Sequence, residues 1–198
     1  MPRPFRAVPH SLPAGTTVLL ATLLAPTAGH ADDARLAKGE VLVTSREVAG
    51  CELPEVTAQA VVDAPPDRVW RIIDDCNHYK RHMPRVSASR ELERKGNTVQ
   101  CEVTVDMPFP LSDLTAVTQA EHVIGPPRWS RTWKLVRGDY DRNEGSWNLT
   151  AFDAAGTRTR VVYRLQVAPK TMVPNALVKK AQLNTLPDLM HRLREAVK

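Results

Sequence analysis

Three side chains of this chain are candidates for acid/base chemistry: His122, Arg131 and Tyr163. A histidine titrates near neutral pH and can act as a general base when a partner orients it. No partner for His122 is visible in the sequence, so we expect an ordinary residue at the end of a strand. We expect Arg131 to be exposed, because arginine is seldom buried. If Arg131 faced inward, its charge would need an acidic side chain or a polar ligand head, and the two residues would form a polar pocket.

Other chemical patterns are absent or incomplete. The sequence has no HExxH, GxSxG, Walker or GxGxxG motif. Asp74 and Asp75 are adjacent, and we interpret them as a solvated helix end. His78 and His82 are spaced as on one helical face but lack a third metal ligand, so we expect exposed connector residues. The sequence therefore predicts no metal, no cofactor and no identifiable catalytic residue.

Three cysteines are present, Cys51, Cys76 and Cys101. None belongs to a CxxC pair, which argues against a zinc site. In an oxidising compartment two of the three could form a disulfide, and the spacing leaves open which two. Cys101 lies on the apolar face of a predicted strand, so a small buried hydrophobic residue is the simplest interpretation.

Alternating apolar residues predict the elements that position these side chains. The segment 98–106 is the clearest strand, because its apolar residues fall on one face and its polar residues on the other. Further strands are predicted over 41–48, 56–62, 114–123, 129–136, 146–152 and 159–167. A short helix is predicted after Pro65, since proline is favoured at the first helical turn. A longer helix is predicted over about 175–197, where Leu183, Leu186 and Met190 fall on one stripe.

This order of elements predicts an α+β fold. A long antiparallel sheet can bury its apolar face by curling around the C-terminal helix. A single helix covers a curled sheet incompletely, which would leave an apolar hollow. For any one aromatic residue, core packing is the expected role; for the set, we predict that at least two line the hollow and contact a ligand. The predicted ligand-binding residues are Val103, Val105, Met107, Trp129, Trp133, Trp147, Tyr163, Leu165, Leu183, Leu186 and Met190.

The N-terminus is typical of an export signal. Arg3 and Arg6 precede an apolar stretch over 18–24 that is too short to span a bilayer, and small residues precede a possible cut after Ala31. We therefore predict a signal peptide over 1–31, a flexible lead-in over 32–40, and one domain over 41–198. Without residues 1–31 the chain has 25 Lys and Arg against 22 Asp and Glu, because Arg3 and Arg6 are lost from the 27 basic residues. A net charge of +3 with mixed signs argues against nucleic-acid binding and allows transient contact with a membrane surface.

Several stretches resemble the START-like, or SRPBCC, superfamily, and in particular its polyketide cyclase/dehydrase or coenzyme Q-binding START branch. Residues 61–70 resemble the segment that leads into a helix in the superfamily, and the closing segment at 186–194 also fits. Three stretches between them agree as well: 79–84, 145–149 and 159–165. The resemblance covers roughly 40–198. The chain departs from the branch at Pro169-Lys170-Thr171, where relatives often have a Pro-Gly-Gly turn.

The resemblance implies a helix-grip fold around a hydrophobic tunnel, with a lipid, sterol, quinone or aromatic polyketide as ligand. Our first hypothesis is a periplasmic or secreted protein that binds a lipid, isoprenoid or quinone-like molecule, with residues 107–111 and the C-terminal helix as its lid. The alternative is a polyketide cyclase or dehydratase that uses His122, Arg131 or Tyr163 as acid/base groups. A third possibility is an interaction domain with a filled core. The oligomeric state stays open.

Overall fold

The computed structural model of this protein describes residues 28–109, 111–170 and 173–198. Eight strands form one antiparallel sheet in the order β1-β2-β8-β7-β6-β5-β4-β3. The strands are β1 (Leu42–Arg46), β2 (Glu55–Val62), β3 (Val86–Lys95), β4 (Thr98–Val105), β5 (Leu114–Val123), β6 (Trp129–Gly138), β7 (Tyr140–Ala151) and β8 (Thr159–Pro169). The helices are α1 (Ala28–Ala37), α2 (Pro66–Asp74), α3 (Tyr79–His82) and α4 (Asn175–Ala196), with a 3₁₀ turn at Cys76–His78.

The sheet is curved around α4, which confirms the predicted helix-grip fold. Strands β3 to β8 follow one another as a meander, and β2 pairs with β8. The apolar alternation explains this arrangement, because every second residue of each strand faces the concave side. On β2 those residues are Val56, Ala58, Ala60 and Val62, all of which are fully buried.

The main core lies between the concave face, α2 and the C-terminal half of α4. Leu186, Leu189, Met190 and Leu193 of α4 are buried in it, and the three-to-four-residue spacing places them on one stripe. The N-terminal half of α4 is less deeply packed, and Leu177 is exposed. The helix is therefore anchored firmly at one end only.

The segment 32–40 was predicted to be a flexible lead-in, and that prediction is wrong for most of it. Residues Ala28–Ala37 form α1. Leu36 is fully buried against Leu42 and Val61 in a small cluster beside the main core. The segment is mostly polar, so nothing in the sequence indicated that its one buried residue, Leu36, attaches it to the domain.

The observed strands differ from the predicted ones in two places. No element was predicted over 86–95, yet these residues form β3 at the edge of the sheet. Most of its side chains are exposed or half-buried, so the sequence carries no apolar alternation there. The polar stretch 138–143 was predicted to be a loop, but most of it belongs to β7, which begins at Tyr140.

The predicted signal peptide lies almost entirely outside the described residues; only its last four, at the start of α1, fall within them. Among the helices of the described ranges, none combines the length and apolarity that a membrane crossing requires.

Candidate functional site

The concave face carries three aromatic rings that pack on one another. Trp147 and Tyr163 are direct partners across β7 and β8, and their ring centroids are 4.3 Å apart. Trp133 of β6 stacks on Tyr163, with ring centroids 5.8 Å apart. Its indole Nε1 donates a hydrogen bond to Asn143 Oδ1 at 3.1 Å. The three rings form one packed group, the aromatic floor, in which Trp133 and Trp147 are buried in the main core and Tyr163 is half-buried against it.

Gly145 makes room for this floor. A Cβ atom at position 145 would lie 2.5 Å from the Trp133 ring and 2.2 Å from the backbone oxygen of Arg164. Neither approach is possible for a real side chain, so the ring position requires glycine on β7. Trp129, the fourth predicted aromatic, lies at the start of β6 and is half-buried against the main core.

Away from α2, the concave face is incompletely covered. Val103, Tyr163 and Leu165 point toward the interior and pack against the core, yet each remains half-buried. Leu183 on α4 is half-buried in the same way, whereas Leu186 and Met190 are buried. Val105 and Met107 are half-buried too, and Met107 packs on a second small cluster with Leu114 and Tyr140. The predicted strand residues thus lie on one face of the sheet, part of which is still accessible, whereas Met107 follows β4 and packs on a separate cluster.

Two concavities of the described residues lie elsewhere. One is a cleft of about 410 Å³ between α3 and the end of α4, and the other, of about 270 Å³, lies beside the exposed side chains of β3 and β4. Charged and polar side chains line both. Neither concavity lies between α4 and the concave face, so neither of them is the predicted apolar hollow.

A buried polar chain runs beside the aromatic floor. Arg131 Nη1 donates to His122 Nε2 at 2.8 Å, and Arg131 Nη2 lies 3.1 Å from Cys101 Sγ. On the other side of the imidazole, His122 Nδ1 lies 3.2 Å from Asp74 Oδ1. Arg94 Nη1 approaches the same carboxylate oxygen at 3.0 Å. The chain therefore joins four strands of the sheet, β3 to β6, to the end of α2.

This arrangement corrects three predictions. Arg131 was expected to be exposed, but it is only 3% exposed, because β6 directs it inward between Trp129 and Trp133. His122 was expected to be an ordinary strand-end residue, but it is 4% exposed and its ring is perpendicular to that of Trp70, with centroids 5.1 Å apart. Asp74 was expected to be a solvated helix end, but it contacts both His122 and Arg94. The neighbouring Asp75 pairs with His78 on the surface, as expected for a connector histidine.

The contact with Arg131 assigns the tautomer of the His122 ring. Arginine can only donate, so Nε2 must accept, and the single ring proton of a neutral imidazole is then on Nδ1, facing Asp74. The contact with His122, followed by that with Arg94, holds the pKa of Asp74 below its ordinary value, against the opposing effect of burial. Asp74 is therefore ionised at neutral pH and compensates the cations around it.

A disulfide joins Cys76 to Cys101 next to this chain. Both cysteines are fully buried, and the bond connects the 3₁₀ turn after α2 to β4. The sequence predicted that two of the three cysteines could pair but left the pair open. The expectation that Cys101 is only a small buried hydrophobic residue is wrong; Cys51 is the free cysteine.

Within the described ranges, no group of three or more His, Cys, Asp or Glu side chains is placed to hold a metal ion. Sequence reasoning missed Asp74, Cys76 and Arg94 as partners of the polar chain. The only signal for them was the inward register of His122 and Arg131 on neighbouring strands. That signal becomes visible only when the strand pairing is known.

Comparisons with known proteins agree with the geometry. A family model described as polyketide cyclase / dehydrase and lipid transport matches residues 62–194. A search of curated proteins gives no match.

Solved structures share the fold at low sequence identity. A STAR-related lipid transfer protein from Xanthomonas axonopodis is 21% identical with a TM-score of 0.70, over 79% of this chain and 93% of that one. The human StAR-related lipid transfer protein 5 is 13% identical with a TM-score of 0.67, over 80% of this chain and 82% of that one. An aromatase/cyclase from a Streptomyces species is 15% identical with a TM-score of 0.56, over 80% and 92%.

Proposed function

This chain belongs to the polyketide cyclase/dehydrase and lipid transport family, and we propose that it is an exported protein that binds and transfers a hydrophobic small molecule. The family is one of hydrophobic-ligand-binding domains. The finer proposal is a lipid, isoprenoid or quinone-like ligand held between the concave face and α4. It requires an apolar surface that the protein itself does not cover.

The observation that carries the proposal is the incomplete burial of the concave face. Val103, Leu165 and Leu183 face the interior and yet stay accessible, while the same face near α2 is fully packed. Covering such a surface with a ligand is favourable by about 25 cal/mol per Å² of apolar area, before the costs of ordering. The aromatic floor of Trp133, Trp147 and Tyr163 would form the rigid end of the site.

Access would come from the N-terminal half of α4. That half is fixed to the β1–β2 turn by polar contacts at the surface, including one between Lys179 Nζ and Glu47 Oε1 at 3.3 Å. Surface ion pairs of this kind contribute little stability. The buried stripe from Leu186 onward would act as the fixed end when the other end moves outward.

Mass spectrometry of organic extracts of the purified protein tests the proposal directly. We expect a bound hydrophobic molecule in stoichiometric amount, and a change in tryptophan fluorescence when lipids are added back to the stripped protein. Reproducible absence of any such molecule, together with no fluorescence response to a lipid panel, would contradict the proposal.

A substitution pair on β8 gives a sharper version of this test. Leu165→Gln places a polar amide on the accessible concave surface, and we expect lipid affinity to fall about tenfold or more, because the ligand must then bury an unpaired polar group. The matched control is Arg164→Gln, on the same strand but exposed on the opposite face. Equal affinities of the two variants in a fluorescence titration would place the ligand elsewhere.

Membrane contact is a second element of the proposal. Phe109, in the turn between β4 and β5, is 97% exposed, and Leu177 at the start of α4 is 57% exposed. We propose that these two apolar side chains enter the interface of a membrane when the protein binds to it. Both lie on segments that we propose as the lid.

We expect Phe109→Ser to reduce co-sedimentation with anionic vesicles by about threefold or more, since one large apolar side chain would no longer enter the interface. Val136→Ser is the control, because Val136 is 50% exposed on β6. If Val136→Ser reduced sedimentation as much as Phe109→Ser, the turn would have no special role.

Export to a periplasmic or extracellular location is also a proposal. Two features support it: the predicted signal over 1–31, and the disulfide between Cys76 and Cys101, since such bonds persist mainly in oxidising compartments. The domain that functions would then be 41–198, preceded by what remains of α1.

The cyclase or dehydratase alternative needs a free acid or base beside the ligand. His122 is the natural candidate, because Asp74 orients it as a carboxylate orients a catalytic histidine. However, Arg131 occupies its Nε2 lone pair, and the carboxylate occupies the Nδ1 side. Burial raises the pKa of Tyr163, which makes that hydroxyl a poorer acid. These contacts favour binding over acid/base catalysis.

A further inference from the structure

Gln182 lies on the stripe of α4 that faces the sheet. It precedes Leu186, Leu189 and Leu193 by four, seven and eleven residues, and all three are buried. Residues at these intervals share one face of a helix. Gln182 therefore places a polar amide at the less tightly packed end of an otherwise apolar stripe, next to the half-buried Leu183.

Both polar atoms of the Gln182 amide are inaccessible to solvent. Neither Nε2 nor Oε1 has a hydrogen-bond partner among the described residues. Two other buried side chains show the contrast: Gln166 accepts a bond from Arg142, and Arg194 donates to the backbone of Val61 and Gly39. Gln182 alone among the described side chains has both a donor and an acceptor buried without a partner.

A buried polar group without a partner is costly, and native proteins seldom keep one. The amide adds no apolar contact that leucine at the same position would not supply. Gln182 directly precedes the half-buried Leu183, which belongs to the surface that we propose for the ligand, so an outward movement of the N-terminal half of α4 would expose the amide to the ligand. The group that completes its hydrogen bonds would then come from the ligand.

We propose that Gln182 binds a neutral, hydroxyl-bearing polar end of the hydrophobic ligand. The proposal rests on the proposed function of the concave face. A carboxamide offers one donor group and one acceptor, and a hydroxyl can both accept and donate. A carboxylate can only accept, so it would leave Oε1 of Gln182 unpaired. The ligand class is therefore a long-chain or isoprenoid alcohol rather than a fatty acid anion.

The test compares a long-chain primary alcohol with its methyl ether of equal chain length, each titrated into the whole stripped protein by tryptophan fluorescence. The ether keeps the acceptor oxygen and loses the donor. We expect the unsubstituted protein to bind the alcohol about tenfold more tightly, because the ether leaves one amide atom unpaired. Gln182→Leu should bring this ratio to about one.

Two further variants serve as controls. Asn184→Leu lies two residues away on the exposed side of α4 and should keep the preference for the alcohol. Gln182→Met retains the side-chain length and should lose the preference, as Gln182→Leu does. Without ligand, both Gln182 variants should unfold about 2–4 °C higher than the unsubstituted protein, since an unpaired buried amide is removed.

The outcomes separate this inference from the function on which it rests. If the protein bound neither probe, the proposed function would fail, and this inference with it. If it bound alcohol and ether equally, or if Gln182→Leu kept the preference, only the role of Gln182 would be wrong. A lower melting temperature of both Gln182 variants would also overturn the inference, because it would show that the amide is already paired in the free protein.

Discussion

Replacing Cys76 and Cys101 together by serine is expected to lower the free energy of unfolding by about 3–4 kcal/mol. The disulfide links residues 25 apart, and a cross-link of that span restricts the unfolded chain by about this amount in the chain-entropy model. Both residues are fully buried, so the loss of packing adds to the effect. Urea unfolding at neutral pH, followed by tryptophan fluorescence, measures the change.

Cys51→Ser is the matched control for this prediction. Cys51 is a free, half-buried cysteine in the turn between β1 and β2, so its replacement should change stability by less than about 0.5 kcal/mol. Each single variant, Cys76→Ser or Cys101→Ser, should lose about as much as the double variant, because either one removes the cross-link. A double variant as stable as Cys51→Ser would show that the bond does not contribute to the fold.

The disulfide has a consequence for the polar chain. It holds the end of α2 close to β4, and Asp74 at that end is the carboxylate that contacts His122. Reduction would therefore free the element that carries the compensating charge. We expect the reduced protein to lose stability and the fixed geometry of His122 together.

Much of the sheet could be predicted because one-sided burial leaves a regular pattern. On β4, Val99 and Cys101 alternate with polar residues, and the same rule places Trp147 and Tyr163 inward on β7 and β8. The edge strand β3 escaped prediction because most of its side chains are exposed or half-buried, so no alternation is required. Helix α1 escaped because only Leu36 anchors it.

The polar chain could not be predicted for a different reason. Arg131, His122 and Asp74 come from three separate segments, and their contacts depend on the register of β5 with β6 and on where α2 ends. Arginine side chains are exposed in most proteins. Arg131 is buried here because the fold places His122 beside it, and His122 in turn contacts Asp74. The pairing of Cys76 with Cys101 depends on the same tertiary placement.

The second large effect is expected at Asp74. Asp74→Asn removes the carboxylate that faces His122 Nδ1 at 3.2 Å and Arg94 Nη1 at 3.0 Å. Hydrogen bonds to charged groups are worth about 1.5–3 kcal/mol each, and Asp74 is partly accessible, so we expect a loss of about 2 kcal/mol at pH 7. The buried cation of Arg131 would then be bonded to a histidine that has lost its charged partner.

The pH dependence of this loss follows from the direction of the pKa shift. The pKa of Asp74 is lower in the folded protein than in the unfolded chain, so its contribution to stability is fully present above the unfolded value of about 3.9 and disappears as the pH falls through the folded value. The difference between the unsubstituted protein and Asp74→Asn should therefore be constant from about pH 5 to 7 and shrink below about pH 4. Asp75→Asn, which removes only a surface pair with His78, should cost less than about 1 kcal/mol at pH 7. Urea unfolding of the three proteins across this pH range measures these losses in the free energy of unfolding. If Asp74→Asn lost no more stability than Asp75→Asn, Asp74 would not stabilise the buried polar chain. The same would follow if the difference between Asp74→Asn and the unsubstituted protein widened in acid.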